Sequence, residues 1–235
     1  MSQAKVLLVD IGNRQLKTKL DSDCLSFDWH DDQSLNSFDR YLKNQSFELL
    51  VYCCSAPQIE DRVLEIVGGY PAQKISTQHI PLVVDSQNTG IDRLLTAFAA
   101  YEKSSSAAIV VDVGTAFTID VVDGNQHFRG GAIGLGLGAQ LSALTAAAPH
   151  LADPCADSAV IPLSTEAAVY DGTYRALAFG ICSLVERYQS TLERPAPVYV
   201  CGGDAHNLQS LLPDWQFCDD LLFQGMQLVA EENWL

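Results

Sequence analysis

Two short stretches of this chain place polar groups where a buried strand would otherwise carry only aliphatic residues. "LLVDIGN" puts Asp10, Gly12 and Asn13 at the end of an apolar run, and "IVVDVGT" repeats the order with Asp112, Gly114 and Thr115. A strand that ends in Asp-x-Gly brings a carboxylate to the lip of a sheet, where open α/β folds bind ligands. The glycine lets an anion such as a phosphate approach the backbone, and the Asn or Thr that follows adds donors. One copy alone reads equally well as a hairpin turn. Two copies at equivalent places in two halves can instead close on one ligand from both sides.

The surrounding pattern supplies the elements that must position these groups. "KVLLV" reads as a buried strand ending at Asp10, residues 13–30 as a hairpin, "LNSFDRYLKN" as a short helix and "FELLVYCCSA" as a second buried strand. "IEDRVLEIVGGY" is a helix closed by Gly68 and Gly69, and "NTGIDRLLTAFAAYEK" is a turn followed by an amphipathic helix with Ile91, Leu94, Leu95 and Phe98 at helical spacing. The polar run "EKSSSA" is linker-like, so the domains are drawn as residues 1–105 and 106–235. Beyond it the logic repeats. "AIVVDV", "FTIDVVD" and "HFRGGAIG" are strands, "AQLSALTAAA" and "STEAAVYDGTYRALAFGICSLVERYQSTL" are helices, "PVYVCGGDA" is a strand entering a glycine turn, and "LLFQGMQLVAEEN" is a final helix. An internally duplicated α/β unit follows.

Composition narrows the function. The formal charge of −15 is concentrated late: residues 104–235 hold 15 acids, four arginines and no lysine. Such a balance repels phosphate backbones and anionic lipid, which excludes nucleic-acid and membrane-surface partners. An anionic ligand must then be held by backbone N–H groups, a few local bases or a bound cation. The seven cysteines form no CxxC pair, which reads as reduced thiols in the cytoplasm. "MSQAKVLLVDIGN" has an apolar run of only four residues before Asp10, short of a signal peptide's roughly 7 to 15. No run reaches the roughly 20 residues needed to span a bilayer. "GGAIGLGLGAQ" lacks GxGxxG spacing and a following acidic strand end, so it is not a dinucleotide loop; flexible backbone near a substrate is the preferred use.

The ordered set "DIGN", "TGIDR", "DVGTAFTID", "FRGGAI" and "CGGDA" resembles the type III pantothenate kinases of the acetate and sugar kinase, Hsp70 and actin superfamily. The resemblance implies two ribonuclease-H-like α/β domains with a mixed sheet in each, in an actin-like duplication. It implies ATP-dependent phosphorylation of pantothenate to 4'-phosphopantothenate, the first step of coenzyme A synthesis, by a homodimer. Asp10 would orient the phosphates and Mg2+ through water, while Gly12, Asn13 and Lys17 contact the nucleotide; Lys17 also reads as a solvated hairpin lysine. Asp92 would act as general base toward the primary hydroxyl of pantothenate, with Gly90, Ile91 and Arg93 holding that substrate. The plainer reading is that Asp92 complements a helix N-terminus and Arg93 is a surface base. Asp112 would bind a monovalent cation, K+ or another small one such as NH4+, and Thr115 would touch ATP, with Gly202 and Gly203 beneath the adenosine. Thr165 would contact pantothenate, or serve only as a helix N-cap hydroxyl.

Four positions depart from the family pattern. Arg14 stands where a small hydroxyl is usual, Val83 where a tyrosine is, and Ser86 and Leu135 where prolines are common. Two alternatives therefore stay beside pantothenate kinase: a kinase of another small alcohol such as a sugar, and a non-catalytic nucleotide-binding regulator of the same fold.

Overall fold

The structure is a computed structural model, and it describes residues 5–85 and 88–235. The chain divides into two compact units, one running to Ala99 and including Leu221–Leu235, the other comprising Ala100–Asp220.

The first unit is built on β1 (Val6–Ile11), β2 (Gln15–Leu20), β3 (Asp23–Asp28), β4 (Leu49–Cys54) and β5 (Ala72–Lys74), in the order β3-β2-β1-β4-β5. β1 pairs antiparallel with β2 and parallel with β4, so the sheet is mixed. Central β1 is buried along its whole length, which is why it is written as an almost unbroken aliphatic run. Edge strand β3 is exposed except at Phe27. Helix α1 (Asp32–Asn44) starts where the Asp31 carboxylate accepts the N–H groups of Gln33 and Ser34 at 3.1 and 3.2 Å, a cap worth about 1 kcal/mol. Pro57 opens α2 (Pro57–Val67), where its missing N–H costs nothing. Leu7, Val9, Ile11, Phe38, Leu50 and Val63 fill the core. A short β6 (Val83–Val84) precedes α3 (Ile91–Ser104).

The second unit repeats the plan with β7 (Ala108–Val113), β8 (Ala116–Val122), β9 (His127–Leu135), β10 (Val198–Cys201) and β11 (Gln216–Phe217). Its strands run β11-β10-β7-β8-β9. Counted within its own half, each sheet therefore reads third, second, first, fourth, fifth strand. β7 pairs antiparallel with β8 and parallel with β10, matching the pairing of β1. Ile109, Val111, Ile119, Ile181 and Val200 belong to its core. Helix α4 (Leu137–Ala147) follows β9. α5 (Thr165–Tyr170) runs through a π-type turn at Asp171–Arg175 into α6 (Ala176–Gln189), where the sequence pattern showed a single helix. There the Thr173 hydroxyl donates to the Val169 carbonyl at 2.6 Å.

After α7 (Ala205–Leu208) and β11, the chain re-enters the first unit as α8 (Leu221–Asn233). Gly225 makes that packing possible, because a Cβ there would overlap the carbonyl of Leu95 in α3. All seven cysteines are free thiols, and no helix among the described residues is long and apolar enough to cross a membrane.

Candidate active site

In the first unit the site grows from the end of β1. Asp10 is the fifth residue of that strand and only 6% exposed. The sheet register gives it two neighbours: Lys17 across the antiparallel pair and Cys53 across the parallel one. Side chains directly opposite on one face lie about 5 Å apart at Cβ, so a lysine beside the carboxylate follows from the register alone. The Cys53 thiol donates to Asp10 Oδ1 at 3.5 Å and also meets Met226 Sδ at 3.8 Å. Burial first, then the charges of Asp10 and Asp92, push the Cys53 thiol well above its ordinary 9.0. It therefore remains a neutral donor and holds one oxygen of Asp10.

Beyond Asp10 the chain turns at Gly12, whose N–H donates to the Gln15 carbonyl at 3.1 Å and whose own carbonyl accepts the Trp29 indole N–H at 2.9 Å. A tied-down turn of this kind presents Asn13 and Arg14 to solvent, while Lys17 is half-buried. Asp92 and Arg93 are half-buried in the first turn of α3, where a carboxylate complements the helix dipole. The Asp92 Oδ1 atom accepts the Arg93 N–H at 2.9 Å, and a Cβ on Gly90 would sit 2.5 Å from that oxygen. Glycine at position 90 thus leaves space for the carboxylate. The charges of Asp10 and Asp92 both help to raise the Cys53 thiol, Asp10 through direct contact as well.

The second unit repeats this register with one change. Asp112, fifth in β7, pairs across to Thr118 on β8 and to Cys201 on β10. Where Asp10 faces a lysine, Asp112 faces a neutral hydroxyl. Three glycine segments converge here. The Gly114 N–H donates to the Ala116 carbonyl at 3.0 Å. Gly136 is pressed against the same turn: a Cβ there would overlap the Gly114 carbonyl and sit 2.8 Å from that of Thr115. Gly202, at φ +99°, lies against Asp112 Oδ1 and the Val113 carbonyl. Thr115 is exposed, and nothing lies within 4 Å of a Cβ built on Gly203.

Sequence reasoning missed several of these parts. Gly136 is tightly packed and caps α4, so its role is close backbone approach rather than the expected flexibility. Asp204, quoted within "CGGDA" but given no role, accepts the Gly138 N–H at 3.2 Å while its own N–H donates to the Val113 carbonyl at 2.9 Å. It fastens the start of α4 to the β10 turn; an Asp directly after paired glycines was the available signal. The N-cap of α5 is Ser164, whose hydroxyl accepts the Ala167 N–H at 3.2 Å, so Thr165 is the first helical residue and not the cap. Val83 and Leu135 are 56% and 52% exposed, and Ser86 lies outside the described residues.

Comparison with known proteins bears on this geometry. The family model for type III pantothenate kinase matches residues 6–187. This chain belongs to the type III pantothenate kinase family. Curated relatives of that name include one from Ruegeria pomeroyi, 35% identical over 72% of this chain and 65% of its own length. Others are from Rhizorhabdus wittichii, 38% identical over 65% of this chain and 61% of its own length, and Gloeobacter violaceus, 35% identical over 61% and 63%. The chain thus spans somewhat under two thirds of the length of these relatives. Among solved structures, a conserved Campylobacter jejuni protein assigned to the Baf family of transcriptional activators superposes with a TM-score of 0.72 at 21% identity, covering 97% of this chain and 98% of that one. An Arthrobacter polyphosphate/ATP-glucomannokinase gives 0.53 at 13% identity over 98% and 100%. Both share the duplicated actin-like fold.

Proposed function

We propose that this chain is an ATP-dependent pantothenate kinase that forms 4'-phosphopantothenate, the entry to coenzyme A synthesis. The observation that carries this reading is Asp10 at the end of β1, held by the Cys53 thiol and opposite Lys17 in the register, in a chain of this family. In this reading Asp10, Gly12, Asn13 and Lys17 hold the ATP phosphates, with Thr115, Gly202 and Gly203 completing the nucleotide site. Gly90, Ile91, Arg93 and Thr165 hold pantothenate. Asp92 accepts the proton of the primary hydroxyl as that oxygen bonds the γ-phosphorus; the bond to the β–γ bridging oxygen breaks and ADP leaves. Catalysis is then mainly positioning and charge stabilisation.

Magnesium, when bound, neutralises phosphate charge. Asp10 suits it because this ion is commonly held by one or two carboxylates together with water and phosphate oxygens. A monovalent cation, K+ or NH4+, is assigned to Asp112, where the register supplies Thr118 in place of a lysine and the C-terminal half has no lysine at all. A cytoplasmic homodimer is part of the proposal, and Val160, Leu163 and Phe179 of the second unit, 96%, 93% and 62% exposed, are apolar side chains that a second copy would cover. The duplicated halves are taken as residues 1–105 and 106–235.

The test is a coupled ADP-release assay with pantothenate, ATP, magnesium and potassium. Pantothenate-dependent ADP is expected. ADP release with a sugar alone would move the assignment to another small alcohol, and nucleotide binding without turnover would make the chain a regulator.

A further inference from the structure

The second unit holds a cavity of about 410 Å³ that the proposed chemistry does not use. It is lined by Ser106 and Ala107 before β7, by the β8–β9 turn with Asp123 and Asn125, by Arg129, and by the segment before β10 that includes Arg194. Asp112 lies at the other end of β7, five residues from Ala107, or roughly 17 Å along the strand. The cavity therefore lies at the end of the strands opposite the Asp-x-Gly turn.

Charge makes it unusual. Residues 104–235 carry four arginines and no lysine, and two of the four line this one cavity. Arg129 approaches Asp123 at 3.5 Å, well outside the roughly 2.8 Å of a tight charge-assisted bond. The carboxylate is already engaged, since Asp123 Oδ1 accepts the N–H groups of Asn125 at 2.9 Å and His127 at 3.2 Å. Arg194 is exposed and has no ion pair among the described residues. Glu193 is the other carboxylate on the wall, and Ser106 and Asn125 add a hydroxyl and an amide. Two guanidinium groups with free donors match the oxygens of a phosphate, and the volume lies in the range of small-molecule sites, about 300 to 1,000 Å³. We propose that this cavity is a second ligand site that binds a small phosphomonoester through Arg129 and Arg194.

The test is calorimetric titration of the full chain with inorganic phosphate and with glycerol 3-phosphate. Wild type and Arg129→Gln, Arg194→Gln, Glu193→Gln and Lys17→Met variants are compared, with circular dichroism as a check that each is folded. One saturable event is expected that persists in Lys17→Met, weakens about tenfold or more in Arg194→Gln and in Arg129→Gln, and tightens about two- to threefold in Glu193→Gln. Absence of saturable binding overturns the proposal. So does binding that disappears in Lys17→Met and survives in both arginine variants, because the ligand would then sit at the β1–β2 turn.

Discussion

Replacing Gly202 with alanine tests whether the β10 turn is built around Asp112. The residue has φ +99°, a conformation that costs a side-chain-bearing residue about 1 to 3 kcal/mol. The new Cβ would also overlap Asp112 Oδ1 and the Val113 carbonyl, so the turn must retreat. Retreat stretches the 2.9 Å bond from the Asp204 N–H to the Val113 carbonyl, worth about 0.5 to 1.5 kcal/mol. Together these give a loss of about 2 to 4 kcal/mol, or roughly 5 to 15 °C in melting temperature for a chain of this size. Gly203→Ala is the internal control, since nothing lies within 4 Å of its Cβ, and it should cost less than about 1 kcal/mol. Urea denaturation followed by tryptophan fluorescence, to which Trp215 of the second unit contributes beside Trp29 and Trp234 of the first, reads the difference. Equal midpoints for the two variants would show that the packing of Gly202 on Asp112 is not what shapes this turn.

Three other perturbations address the chemistry. Asp92→Asn should lower kcat by about 10² to 10⁴ with little change in the KM for ATP, and retention of full activity would remove the base assignment. The Cys53 thiol has its folded value raised above 9.0, so its contribution to stability is fully present below about pH 9 and is lost as pH rises. The unfolded chain releases a proton there that the folded chain keeps, at up to about 1.4 kcal/mol per pH unit. Urea midpoints of wild type should accordingly fall faster above pH ~9 than those of Cys53→Ser, which keeps a hydroxyl donor to Asp10; parallel curves would mean the thiol is not the group responsible. Exchanging potassium for tetramethylammonium should abolish activity, and Thr118→Lys, which puts an ammonium across from Asp112 as Lys17 lies across from Asp10, should restore part of it. Activity indifferent to the cation would detach Asp112 from that role.

The parts of the fold that were legible in the sequence are those where burial forces a pattern. β1 and β7 are central strands covered on both faces, so "VLLVDI" and "AIVVDV" carry aliphatics throughout and leave Asp10 and Asp112 conspicuous. Helix α3 declared itself by its apolar spacing and the turn before it. The groups that were not legible depend on register or close approach, which periodicity does not encode. Cys53 meets Asp10 only because β4 aligns with β1 residue for residue, and 43 positions separate them. Gly136 and Gly202 look like generic turn glycines until the carbonyls pressed against them are known. The shift from Thr165 to Ser164 at the α5 cap is a single residue, and two adjacent hydroxyls give a sequence no basis for choosing.

Register also explains why two nearly identical motifs need not share one task. Both aspartates occupy the fifth place of a central strand, both are followed by a glycine turn closed by one backbone hydrogen bond, and both have a cysteine across the parallel pair. The antiparallel neighbour is what differs. Lys17 stands opposite Asp10 in the register, so under the proposed function phosphate oxygens at that turn would have a lysine on the neighbouring strand. Thr118 supplies no such charge, and the half of the chain around it holds only four arginines, two of them at the opposite end of the strands. In the proposed function an anionic ligand at the second turn therefore takes a cation from solution, with Asp112 as the carboxylate that would hold it. On that reading a single cross-strand difference, lysine opposite Asp10 and threonine opposite Asp112, is what separates a self-sufficient phosphate contact from a cation-dependent one.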